Sequence, residues 1–310
     1  MKEPILLSPA FKDYLWGGTR LKEEYGKKSD LDKVAESWEL STHKDGQSVV
    51  ASGEYSGLTL SEYIGKNPSV LGENCSRFEF FPILIKFIDA KDNLSIQVHP
   101  DDEYSLSHNG EYGKTEMWYI LDCEEGASLY YGFKEEITKE EFKKSIEDNT
   151  LLDYLNKVEV KKGDVYFIEA GTVHAIGKGI VICEIQQNSN TTYRVYDYNR
   201  RDAAGNTREL HVDKAVEVSV TKPPVIYKQE SENVLAKCKY FTVEKSEIDG
   251  AVEFSIDESS FKSVIVTEGE GVLSMGDCQL KVKKGDSIFV PAQNGTFAVN
   301  GKCNIIISYV

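Results

Sequence analysis

Residues 160–176, VKKGDVYFIEAGTVHAI, return at residues 282–298 as VKKGDSIFVPAQNGTFA. The first five letters are identical, and an internal repeat of this kind means that one structural unit is built twice. Lys-Lys-Gly-Asp reads as a turn between two strands, because Gly is free to take positive φ and Asp can bond its own backbone. The copies part where the first has His174 and the second has Thr296.

Around the repeat, short β-branched and aromatic runs alternate with Gly, Asp and Asn turns: FPILIKFI, LSIQVHP, TEMWYIL, ASLYYGF, IVICEIQ and TTYRVYDY, then YFTVEKSEI and KSVIVTEGEGVLSM. That spacing predicts an antiparallel sandwich or barrel. Thr59-Leu60-Ser61-Glu62 and Thr138-Lys139-Glu140-Glu141 have the form of capping boxes and predict helices. The second opens an amphipathic stretch with Phe142, Ile146, Leu151, Leu152 and Leu155 as its apolar positions. A third helix is predicted from about Asp213 to Val220, stopped by Pro223-Pro224. The double proline is the predicted boundary between residues 1–222 and 223–310.

A chain of 310 residues with 40 % hydrophobic content can bury a core in each half. Its net charge of −15 disfavours a nucleic-acid partner, which needs excess Lys and Arg, but allows a small anion in one basic pocket. The apolar runs are too short for a signal peptide or a membrane span. Six scattered cysteines without a CxxC pair read as buried free thiols of a reducing, cytoplasmic compartment.

Gly-Asp, five residues, a tight turn and a strand resembles the second sequence motif of the cupin superfamily. The resemblance implies a mainly β fold of two cupin-type jelly-roll barrels with a few inserted helices. It also implies a metal-binding histidine at the place of His174. Both halves need the barrel corner; only the half that keeps the histidine needs its chemistry.

Gln97 and His99, two apart in LSIQVHP, share one strand face, and so do Lys114, Glu116, Trp118 and Ile120 in GKTEMWYIL. A lysine and a glutamate sharing a face with Trp and Ile ask for a metal, a ligand or an ion pair. Two imidazoles, a carboxylate and an amide oxygen suit Zn²⁺ with an open position, and other divalent metals are compatible. The plainer alternative makes His99 a strand-end histidine before Pro100 and His174 a turn histidine. Thr192, Arg194, Tyr196 and Tyr198 are expected on one strand face, with the Arg194 guanidinium as an anion clamp or as the partner of an acid such as Asp197 or Glu184. His43, His108 and His211 have no such company and read as surface or capping residues.

QVHPDDEYS, GKTEMWYI, GTVHAIGKG and EIQQNSNTTYRVYDYNR, with YLWGGTRL and ESWELSTH nearer the N-terminus, together resemble type I mannose-6-phosphate isomerase in its short bacterial form. The resemblance implies a zinc aldose-ketose isomerase that interconverts mannose 6-phosphate and fructose 6-phosphate through a cis-enediol. It places one metal per chain on Gln97, His99, Glu116 and His174 and the active-site arginine at Arg194. Lys114 and Trp16 become substrate-binding candidates, and the phosphorylated sugar the partner of a monomer or weak homo-oligomer. Longer members carry Asn-His-Lys-Pro-Glu where this chain has Tyr112-Gly113-Lys114-Thr115-Glu116. The proton-removing group stays open between Lys114, a carboxylate such as Glu184 and a metal-held hydroxide. An iron-dependent cupin oxygenase and a non-catalytic sugar-binding cupin are the alternatives.

Overall fold

Both Lys-Lys-Gly-Asp segments form the same turn. Gly163 and Gly285 each have φ of +92°. The Asp164 carboxylate accepts from the Lys161 N–H at 2.8 Å, and that of Asp286 accepts from the Lys283 N–H at 2.9 Å. At Gly285 an added Cβ would also meet the Tyr25 carbonyl oxygen at 2.1 Å, so only glycine fits. Each turn feeds a four-residue strand, Val165–Ile168 and Ser287–Val290. The matching phenylalanines of these strands, Phe167 and Phe289, are buried in one shared hydrophobic core. The repeat thus also lays the two halves against each other, and full burial of such a side chain contributes roughly 1.5–3 kcal/mol.

The computed structural model describes residues 2–201 and 205–310. Its strands pair antiparallel into three sheets. A six-stranded sheet runs in the order Val165–Ile168, Glu116–Cys123, Ile180–Gln187, Ile83–Ala90, Glu36–Leu40, Ala10–Lys12. A five-stranded sheet runs Tyr193–Tyr196, Ile96–Val98, His174–Ala175, Ser128–Phe133, Leu155–Glu159. These two sheets enclose a core that includes Ile88, Trp118, Ile182, Leu129 and Tyr131. The Tyr131 hydroxyl crosses from one to the other to donate to the Phe167 carbonyl at 2.7 Å. The eight-stranded sheet is built mainly from the C-terminal third, with the long strands Thr242–Ile256, Lys262–Met275 and Gly295–Tyr309. Ile5–Ser8 and Val49–Val50 extend it from the N-terminal side, through Ile5–Ser8 pairing with Ser287–Val290. The mainly β, cupin-type architecture expected from the repeat is the one observed.

Both capping boxes form, opening helices Leu60–Lys66 and Lys139–Glu147, and the third helix spans Val212–Val218. The expected amphipathic stretch through Leu155 is interrupted: Asn149 takes φ of 59°, a short turn Leu151–Tyr154 follows, and Leu155 opens a strand. All six thiols are free. No helix among the described residues is long and apolar enough to cross a membrane.

Candidate active site

Cross-strand pairing assembles the site in rows. In the five-stranded sheet Arg194, Gln97, His174 and Tyr131 are successive partners, so their side chains leave the same face. In the facing sheet Trp118, Glu184, Lys86 and Trp38 form a second row, with Glu116 two residues along from Trp118. The Trp118 indole meets the His174 imidazole edge-on, 5.3 Å between ring centroids, and ties the rows together.

His99, Glu116 and His174 are buried, with donor atoms within 4.8 Å of one another. Each imidazole is oriented from behind: His99 Nδ1 lies 2.8 Å from the Thr191 carbonyl and His174 Nδ1 2.8 Å from the Thr172 carbonyl. A carbonyl oxygen only accepts, so both Nδ1 atoms carry the proton and both Nε2 lone pairs turn inward. They face the Glu116 oxygens at 3.4 and 3.6 Å. His174 Nε2 is buried with no hydrogen-bond donor. Burial, reinforced by the Lys114 charge, holds His99 well below the usual histidine range, and burial brings His174 down to about 4. Burial drives Glu116 the other way, above the carboxylate range, with the Glu184 charge adding to it. Two neutral lone pairs around a carboxyl that burial discourages from ionising form a donor set that a cation satisfies. The Lys114 ammonium behaves as a stand-in, contacting Glu116 and lying 3.0 Å from His99 Nε2. The residues fit a divalent metal.

Beside the triad lies a cavity of about 280 Å³, lined by Gln97, Lys114, Trp16 and Arg194 together with Tyr14, Lys86, Glu36, Glu184 and Arg208. All four sequence candidates outside the triad therefore reach one space. Arg194 is held by its Nε on Ser95 Oγ (3.3 Å) and its Nη1 on the Glu209 carbonyl (2.9 Å). Of its expected companions Thr192 joins it in the cavity lining, and Tyr196 and Tyr198 do not. A register shift after Arg194 and a positive φ at Tyr198 turn Tyr196 and Tyr198 onto each other, away from the cavity lining. The acid Asp197 pairs with Arg200 and Arg208 rather than Arg194. His43, expected at the surface, is buried against Trp38, with Nε2 3.3 Å from Glu111. His108 stacks on Tyr104 at an exposed helix end, and His211 stands at the N-cap position of a helix without a side-chain capping bond, its Nδ1 accepting instead from the Arg194 N–H.

Lys86, Glu36 and Arg208 escaped the sequence reading. Lys86 is buried 3.6 Å from both Glu36 and Glu184, over the Trp38 ring. Burial opposes its charge, yet the two carboxylates raise it above the usual lysine range. A signal was present: one lysine inside the apolar run of FPILIKFI requires a buried partner. At Gly113, an added Cβ would lie 2.4 Å from the Asp101 carbonyl carbon, so the backbone path itself excludes an imidazole there.

Residues 5–126 match the family described as phosphomannose isomerase type I, catalytic domain, and residues 231–310 match mannose-6-phosphate isomerase, cupin domain. The chain is 41 % identical over 317 residues to a mannose-6-phosphate isomerase of Bacillus subtilis, covering 99 % of each chain. It is 38 % identical to one from Streptococcus mutans, covering 100 % of this chain and 99 % of the relative. A crystal structure of mannose 6-phosphate isomerase from Bacillus subtilis superposes with a TM-score of 0.91 at 38 % identity, covering both chains fully. With this similarity spanning the triad, the cavity and the second barrel alike, the chain belongs to the type I mannose-6-phosphate isomerase family.

Proposed function

We propose that this protein interconverts D-mannose 6-phosphate and D-fructose 6-phosphate by proton transfer between C1 and C2 through a cis-enediol. The observation that carries this reading, beyond family membership, is the charge of the cavity. In a chain of net charge −15, four cations (Lys86, Lys114, Arg194, Arg208) line it against two carboxylates (Glu36, Glu184). A phosphorylated sugar needs such a pocket, and an oxidisable neutral substrate does not.

Gln97, His99, Glu116 and His174 would hold one divalent ion, zinc being suited to two imidazoles and a carboxylate with an open position. Such an ion supplies Lewis-acid polarisation of the sugar carbonyl. Arg194, fixed at two of its nitrogens, offers a preorganised positive charge to the oxygen that becomes negative as the enediol forms. Lys114 holds a substrate oxygen beside the triad, and Trp16, buried with its ring tilted against Tyr14 at 5.4 Å between centroids, walls the cavity. Glu184 moves the proton: the Trp118 indole N–H donates to its Oε1, while Oε2 is buried with no donor. Burial raises the Glu184 pKa, but Lys114, Lys86 and the Trp118 bond outweigh that and keep it ionised at neutral pH. Residues 1–222 would carry this chemistry and 223–310 the histidine-free barrel.

A coupled assay with mannose 6-phosphate, with and without chelator, tests the reading. Turnover should vanish on chelation and return with zinc. A purified, metal-loaded protein that leaves mannose 6-phosphate unchanged would refute it.

A further inference from the structure

The half without a histidine reaches the reaction centre through one hydroxyl. Tyr240 donates from its OH to Asp102 Oδ2 at 2.7 Å. The other oxygen of that carboxylate accepts from the Gly113 N–H at 2.9 Å and from Gln187 Nε2 at 2.7 Å. Gln187 Oε1 in turn accepts from the Thr115 N–H at 3.0 Å. The residues on both sides of Lys114 therefore hang on Asp102, directly or through Gln187, while the Lys114 N–H donates to the Pro100 carbonyl at 3.0 Å. The lysine whose ammonium contacts Glu116 and lines the cavity has its backbone fixed at three consecutive amides.

We infer that Tyr240 is a positioning residue for Lys114, and that the second barrel contributes to turnover through it rather than to folding alone. Without the Tyr240 bond the carboxylate is held through Oδ1 alone and rotates more easily, and rotation loosens Gly113 and Gln187 together. The chain path fits the role: Gly113 packs on the Asp101–Asp102 backbone with no space for a Cβ, so a change in Asp102 passes directly to the segment before Lys114. Small displacements of a charged group beside reacting atoms cost rate far more than they cost stability.

The inference rests on the isomerase reading, so its test has a readout independent of catalysis. Tyr240→Phe removes only the hydroxyl and keeps the ring. We expect kcat to fall about 10-fold, as for loss of outer-shell partners, with KM and metal content little changed. Hydrogen exchange at amides 113–115 should rise. Asp102→Asn should act likewise, and the double variant should be no worse than Asp102→Asn alone. Tyr309→Phe, which removes a comparable bond to Glu244 in the same half, serves as the control and should leave kcat and these amides unchanged. Wild-type kcat in Tyr240→Phe overturns the inference, as does unchanged exchange at 113–115. Failure of the parent protein to turn over sugar phosphate would instead strike the isomerase reading, and the exchange comparison would still decide the role of Tyr240.

Discussion

Truncating Arg194 to alanine separates catalysis from structure more cleanly than any other single change at this site. The side chain makes two bonds, one to Ser95 Oγ at 3.3 Å and one to the Glu209 carbonyl at 2.9 Å. The first links it to the cavity wall and the second to an exposed carbonyl outside it, and their loss should cost about 1–3 kcal/mol of stability, a shift of a few degrees in Tm. Arginine is no metal ligand, and its neighbour Gln97 keeps its place in the ladder through His174, so metal content should hold at the wild-type level. If the guanidinium stabilises the enediolate more than the ground-state sugar, kcat should fall by about 10²- to 10³-fold, or about 2.7–4 kcal/mol, with a smaller change in KM. Lysine should restore only part of this, because a point charge reproduces one of the two anchoring bonds and not the planar fork. Steady-state kinetics with elemental analysis of the same preparation reads both quantities. Near-normal kcat, or loss of metal together with activity, would make Arg194 a structural residue and refute the reasoning.

The His99→Ala, His174→Ala double variant should lose its metal while remaining folded, checked by elemental analysis and circular dichroism. Thr296, exposed and bonded to Glu253 on a strand of the second barrel, should tolerate alanine with turnover unchanged. Deleting residues 225–310 should aggregate the protein, because strand Ile5–Ser8 loses its partner Ser287–Val290 and the core shared by Phe167 and Phe289 opens. Asp197 is raised by burial but lowered more by its bonds to Arg208 and Arg200, for a net shift below the ordinary 3.8. Its contribution is thus present above that value and lost as pH falls through the lower folded value. Asp197→Asn should cost about 1–3 kcal/mol at pH 7, and thermal scans should show the gap to wild type closing below about pH 3.8.

The sequence made the triad legible because its carriers lie in strands or directly beside their ends, where the period of a strand still sets the face. Gln97 and His99, like Lys114 and Glu116, are two apart, and the cupin-like spacing places His174 opposite them. Tyr196 and Tyr198 depart from the expected face of Arg194 for the same reason. Period two holds only while the strand continues, and the register shift and positive φ between Arg194 and Tyr198 break it without any glycine or proline to announce them. Lys86, Glu36 and Arg208 are absent from the sequence expectations for a different reason. The lone lysine in FPILIKFI asks for a partner without naming it, since Glu36 and Glu184 come from other strands, and Arg208 meets Asp197 only 11 residues back with no local motif to mark the pair. The joining of Ile5–Ser8 to the C-terminal sheet is likewise a long-range pairing that a boundary read from Pro223-Pro224 does not reveal.

The most direct test of the account is a metal titration of chelator-stripped protein, with turnover of mannose 6-phosphate and bound zinc measured at each step. The structure predicts that activity rises in proportion to bound metal, reaches its plateau at one ion per chain, and stays absent at every step in Glu116→Gln. Activity in the stripped protein, or a plateau that requires a second ion, would contradict it.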